Sequence, residues 1–260
     1  MEPLVKVKKH APSGTVILNR PDKRNALTRQ LLNELQQAFE DLHQERAVRA
    51  VILTGAGQAF CAGMDLQEML NTSKQADALN MWYQDAVQYK ELIETMLRFP
   101  KPIIAAVNGA AVAGGAGLVL AADIVIATGN APFGLPEPRR GLVAGLVSPL
   151  LAFRIGGGYS AKLLLTGELI PAEEARRVNL YHEIVAHDVV WARAHEIASQ
   201  CAKNAAESLQ LTKKLLNETI GESLGMLLAS GAAASATART TEAAAEGLAA
   251  FLEKREPNWP

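Results

Sequence analysis

Four short runs constrain this chain more than any other feature: residues 15–19 (TVILN), 50–54 (AVILT), 103–107 (IIAAV) and 124–127 (IVIA). Each is apolar almost without interruption and is bounded by Gly, Pro or polar residues. A strand with one wet face alternates apolar and polar side chains, so runs that do not alternate read as strands covered on both faces. Helical stretches lie between them. Thr28 is placed to cap a helix reaching about Arg46, with Leu31, Leu32, Leu35, Phe39 and Leu42 as its apolar stripe. Residues 78–98 carry Trp82, Ala86, Tyr89, Ile93 and Met96 at helical spacing. Strands alternating with helices predict an α/β architecture.

Beyond about residue 188 the strand pattern stops. Residues 189–202, 208–219 and the Ala-rich stretch 232–253 each read as a helix, because Ala, Glu and Leu favour that state. The last has many small and few bulky side chains, which suits packing against another subunit better than forming a core alone. The expected division is an α/β body over residues 1–195 followed by a helical region over 196–260.

Composition removes several alternatives. A formal net charge of −1 with well-mixed signs leaves no basic stripe for nucleic acid. Cys61 and Cys201, far apart, argue against a disulfide framework and fit a reducing cytoplasm. The opening residues MEPLVKVKKH lack a signal peptide's apolar stretch, and no apolar segment is long enough for a bilayer. His10, His43, His182, His187 and His195 show no metal-ligand spacing, so no metal site is expected. Ser148 lies outside any G-x-S-x-G elbow, which excludes an α/β-hydrolase nucleophile there.

Three segments have the residue types of a catalytic site. In 59–66 (AFCAGMDL), small residues and Gly63 permit a sharp turn with exposed N–H groups, and Asp65 is placed to cap a following helix. In 108–117 (NGAAVAGGAG), three glycines in four residues at a helix start let a ligand approach unpaired N–H groups at the positive end of a dipole. In 133–142 (FGLPEPRRGL), Glu137 sits between two prolines on a stiffened backbone. Taken singly, these segments also fit a strand–turn–helix junction, a tight helix-packing site and a surface turn.

Together they resemble the crotonase (enoyl-CoA hydratase/isomerase) family along the whole chain. The likeness begins with LNRP and Asn25-Ala26-Leu27 and runs through FCAGMDL, KPIIAAVNGAAVAGGAGL, ADIVIA and FGLPE. It continues to LLLTGELIPAEEA and ends with GLAAFLEKR. The resemblance implies a spiral of ββα units carrying an acyl-CoA site, with a C-terminal helical trimerisation region and assembly as a homotrimer or hexamer. It implies that the N–H groups of Met64 and Gly114 form an oxyanion hole around a thioester carbonyl, and that Glu137 moves a proton or activates water. Arg24, the Ala62 backbone, Phe251 and Lys254 match positions that hold coenzyme A, the last two reaching a neighbouring subunit's ligand. No cofactor is implied, coenzyme A entering as part of the substrate; the partners are an acyl-CoA and further copies of the chain, with neither nucleic acid nor membrane.

Two departures bear on the reaction. Family hydratases of the best-known kind carry a second glutamate where this chain has Gly117, so water cannot be held between two carboxylates. A single glutamate suits a double-bond shift as well as hydration, and loss of the second also fits a weak acyl-CoA-binding protein. Ala113 stands where relatives often have a glycine, a change expected to be mild because Ala costs little at a helix start.

Overall fold

A computed structural model describes residues 2–219, 221 and 223–259. The four apolar runs become β2 (Ser13–Leu18), β3 (Ala50–Gly55), β5 (Ile103–Val107) and β7 (Ile124–Thr128). With β1 (Val5–His10) and β10 (Glu183–Val185) they form a six-stranded sheet in the order β1-β2-β3-β5-β7-β10, parallel except for the β1–β2 hairpin. Burial on both faces is literal. Val51, Leu53, Ile103, Ala105 and Val107 enter the main core, while Ala50, Ile52, Ile104 and Ala106 meet α8 (Val190–Ala202) on the other side.

A second sheet is built from shorter pieces. β4 (Ala59–Cys61), β6 (Ala110–Val112), β8 (Phe133–Gly134) and β9 (Leu169–Ile170) pair in that order. β3–β4, β5–β6 and β7–β8 each give one strand to the large sheet and the next to the small one before the chain turns helical. This is the expected spiral of ββα units. β4, β6 and β8 are only two or three residues long, too short to show a period in the sequence.

The helices follow their sequence signals closely. α1 (Arg29–Gln44) starts at Thr28, whose Oγ1 accepts from the Leu31 N–H at 3.1 Å, and it buries all five stripe residues. α2 (Leu66–Ser73) is capped by Asp65, which accepts from the Gln67 and Glu68 amides. α3 (Ala78–Arg98) matches the expected span. α4 (Gly114–Ala121) is wholly buried. α5 (Val147–Ile155), α6 (Gly157–Thr166) and α7 (Ala172–Arg177) complete the body before α8, and α9 (Ala206–Lys214) follows it. Among the described residues no helix is long and apolar enough to cross a membrane.

The Ala-rich stretch is not one helix. It divides into α10 (Leu224–Ala238) and α11 (Glu242–Glu253), broken where Thr241 caps α11 by accepting from the Ala244 N–H. Ala propensity favours continuing the helix, but the Thr-Thr pair offers a side-chain cap that competes with it. Asp123, just before β7, acts as a tether: its Oδ2 accepts from the Ile103 N–H and from the buried Lys213 ammonium at 2.7 Å.

One polar side chain locks the loops that carry the site. Asn25 is fully buried; its amide donates to the carbonyls of Ala56, Ala59 and Phe60, and its Oδ1 accepts from the Arg20 N–H. Its φ of +56° lies in the left-handed region, which Asn tolerates better than most residues. Asn25→Ala should therefore cost about 3 kcal/mol or more, from orphaned buried carbonyls together with the left-handed backbone. Urea unfolding of the variant checks this.

Candidate active site

The three motif segments converge on one cavity of about 460 Å³, lined by Met64, Gly114 and Glu137 together with Tyr89, Leu142 and Phe251 among others. Two backbone segments approach so closely there that side chains are excluded. Gly63 has φ +89°, and a methyl group at this position would lie 2.7 Å from the Ala113 Cβ. A methyl at Gly115 would lie 2.3 Å from the Cys61 carbonyl oxygen. These glycines are therefore a steric requirement for the contact. Leu27 holds the turn from the other side, donating to Gly63 O and accepting from the Asp65 N–H. The Met64 N–H between those bonds has no acceptor among the described residues, nor has the Gly114 N–H at the first position of α4. A methyl on Gly114 would stand 3.7 Å from the Met64 nitrogen, so the two free amides are neighbours at a helix N-terminus.

Ala113 is not the mild substitution its residue type suggested. It has φ +53° and ψ −125°, a conformation rare for any L-residue with a Cβ. The reason is geometric: β6 must turn into α4 within one residue, and Ala113 bonds through its N–H to Gly134 O. Strain of this kind costs of order 1–3 kcal/mol and is held in place by the surrounding contacts.

Glu137 begins a short turn of 3₁₀ helix over residues 137–140. Part of the residue reaches the surface, but its Oε2 is buried and has no hydrogen-bond partner among the described residues. Burial pushes the Glu137 carboxyl up to about 7, against the opposing pull of its own backbone N–H and of Arg140. Arg140 also lines the cavity, its guanidinium 4.5 Å from the centre of the Phe251 ring. Cys61 is buried nearby, with its thiol pushed up to about 12, so it packs rather than reacts.

At Gly117 the structure supplies what the sequence left unexplained. A Cβ there would lie 2.1 Å from the Tyr89 hydroxyl oxygen, so Tyr89 fills the space a side chain at 117 would need. That hydroxyl donates to the Gly114 carbonyl at 2.5 Å, pinning the first turn of α4. Burial and the nearby Glu137 hold the Tyr89 phenol well above its ordinary pKa. Read as one residue of an apolar helical stripe, Tyr89 carried no separate signal. Its sequence clue was that it carries the one hydroxyl among the stripe residues Trp82, Ala86, Tyr89, Ile93 and Met96.

The expected coenzyme positions divide. Arg24 and Ala62 line the cavity and are tied together by the Ala62 N–H bonding to Arg24 O. Phe251 lines the cavity of its own chain. Lys254 stands apart, exposed at the C-terminal cap of α11. Among the described residues no group of three His, Cys, Asp or Glu side chains could hold a metal ion.

The chain is similar to known proteins along nearly its whole length. A model of the enoyl-CoA hydratase/isomerase family matches residues 12–260. A Thermus thermophilus protein named "Putative enoyl-CoA hydratase" is 40% identical over 95% of this chain and 96% of its own length. A mevalonyl-coenzyme A hydratase of Aspergillus fumigatus is 35% identical over 93% of this chain and 89% of its own. The crystal structure of an enoyl-CoA hydratase/isomerase from Xanthobacter autotrophicus Py2 superposes with a TM-score of 0.89 at 28% identity, covering 99% of this chain and 98% of that one.

Two substitutions test the packing. Ala113→Gly should stabilise the protein by about 1 kcal/mol, the relief of strain outweighing the entropy of glycine; thermal unfolding reads it. Gly117→Ala should destabilise by about 1–3 kcal/mol despite better helix propensity, because it collides with Tyr89. Adding Tyr89→Phe should recover part of that loss, a non-additive pair visible in a double-mutant cycle.

Proposed function

The chain belongs to the enoyl-CoA hydratase/isomerase family, and on that footing we propose that it is an enoyl-CoA hydratase, adding water reversibly to a 2-enoyl-CoA. The carrying observation is Glu137, whose Oε2 is buried and has no partner among the described residues, in the cavity lined by the two free amides. The Met64 and Gly114 N–H groups receive the thioester oxygen. Each such donor is worth about 10²–10³ in rate, because it meets charge that develops only in the transition state. The Glu137 carboxylate takes a proton from water as the water oxygen bonds to C3, and the electron pair of the double bond moves onto the thioester as an enolate. Glu137, now protonated, returns that proton to C2, and the enolate collapses to the thioester. One carboxylate thus closes the cycle, with no second acid–base group and no cofactor. The names of relatives from Thermus and Aspergillus, both hydratases, favour this reading.

Arg24, the Ala62 backbone, Phe251 and Lys254 are assigned to coenzyme A, with Lys254 acting on a neighbouring subunit's ligand. Residues 1–195 supply the two amides and Glu137, and 196–260, whose Ser235, Arg239 and Phe251 also line the cavity, are assigned to a homotrimer or a dimer of trimers in the cytoplasm. A second reading, a Δ3,Δ2-enoyl-CoA isomerase, is favoured by the Gly117–Tyr89 arrangement, which leaves no room for a second carboxylate.

Mass spectrometry of trans-2-enoyl-CoA esters in ¹⁸O-labelled water separates these readings. A labelled hydroxyacyl-CoA is expected; double-bond migration without label would replace hydratase by isomerase, and no change would leave an acyl-CoA-binding protein. Glu137→Gln should lower turnover by about 10²–10⁴ while saturated acyl-CoA binds as before. Because the working base is the carboxylate, kcat/KM for hydration should rise with pH through about 7 and fall below it. A flat profile between pH 5 and 9, a range chosen to bracket that value, would remove Glu137 from the role.

A further inference from the structure

The far wall of the cavity holds a charge that the proposed hydration does not use. Arg239, the residue after α10, is only 8% exposed and lines the cavity with Ser235 and Asp85. A guanidinium carries five N–H donors, and burial without acceptors is costly. Here its one side-chain bond is to Trp82 O, at the outer limit of 3.5 Å. The remaining donors have no acceptor among the described residues.

Asp85 is the obvious candidate partner, but it is already engaged. Arg29 grips it with both prongs, Nε to Oδ1 at 2.5 Å and Nη2 to Oδ2 at 2.9 Å. Asp85 is thus held by Arg29, which Glu68 also faces, and it forms no ion pair with Arg239 among the described residues. Burial pushes Arg239 down to about 10, with Asp85 opposing the shift and Arg29 adding to it. Ser235 lies one turn before Arg239 on the same face, adding a hydroxyl to the cavity wall.

Arg239 lines the same cavity as the expected thioester position. Trp82, Asp85 and Tyr89 follow one face of α3 at helical spacing, and Tyr89 is bonded to Gly114 beside the expected thioester position. The rise from Asp85 to Tyr89 is about 6 Å along the helix axis, comparable to the length of an acyl chain of about five or six carbons. We propose that Arg239, with Ser235, forms a subsite for a carboxylate at the far end of the acyl chain, so that the substrates are monothioesters of short dicarboxylic acids. An incoming carboxylate accepts the unused donors of Arg239. This names the substrate class of the proposed hydratase and rests on that reading for the placement of the thioester.

Calorimetric binding of saturated esters tests it without requiring turnover. Glutaryl-CoA is compared with pentanoyl-CoA, and adipyl-CoA with hexanoyl-CoA, on the full-length protein. At one of the two lengths at least, the carboxylate ester should bind about tenfold or more tightly than its apolar match, as expected for a buried charge-assisted pair. Arg239→Met should abolish that preference while hexanoyl-CoA affinity is kept. A ratio below tenfold at both lengths, or a preference that survives Arg239→Met, would overturn the proposal. Should that variant fail to fold, the wild-type ratio alone decides. A protein that selects adipyl-CoA yet hydrates no ester would refute the hydratase reading and leave this one standing, so the two failures are distinguishable.

Discussion

The site depends on the contact between two stretches of bare backbone, residues 61–64 and 113–117. Helix α4 can begin beside the turn at Met64 only because no Cβ stands at Gly63 or Gly115. That approach makes neighbours of two amides that secondary structure leaves unpaired, at the positive end of a buried helix. The elements around it serve the contact. Asn25 and Leu27 fix the turn, Asp65 caps the helix that leaves it, and Arg20 braces Asp65 with an ion pair at 2.6 Å. The strain at Ala113 is part of the cost of the geometry, absorbed by a core that leaves α4 fully buried.

Around that contact the cavity wall sets charged side chains among hydrocarbon. Desolvation is the largest influence on Glu137, Arg140 and Arg239 there. Burial raises Glu137 towards neutrality, where a carboxyl can both accept and return a proton. The same dry surroundings hold the Cys61 thiol and the Tyr89 phenol protonated. Tyr89 thereby acts as a fixed donor to the Gly114 carbonyl rather than as an acid–base group. Its hydroxyl also explains Gly117: glycine at that position and tyrosine at 89 form one steric unit, and neither can be read without the other.

Much of this was legible in the linear chain. Short unbroken apolar runs bounded by turn residues read as strands buried on two faces, and the large sheet has helices on both sides of it. Thr28 and Asp65 cap the helices they were placed to cap, since a side-chain acceptor before an apolar period is a local signal that needs no tertiary help. Glu137 between its prolines stood out for the same local reason. The short strands of the second sheet and the break at residues 239–241 were not visible, because two or three residues carry no periodicity and alanine propensity runs through a break made by capping.

By itself, then, the sequence determined the alternation of strands and helices and the three candidate segments, because periodicity, capping and glycine content act over a few neighbouring residues; the family followed from the resemblance of its motifs in order. Only the tertiary structure decided what those segments face. It placed Ala113 in a left-handed conformation, set Tyr89 against Gly117, left Glu137 Oε2 without a partner, and put Arg239 beside a carboxylate already taken by Arg29. Each of those outcomes depends on distances between residues remote in the chain, and burial and charge respond to distance rather than to order in sequence.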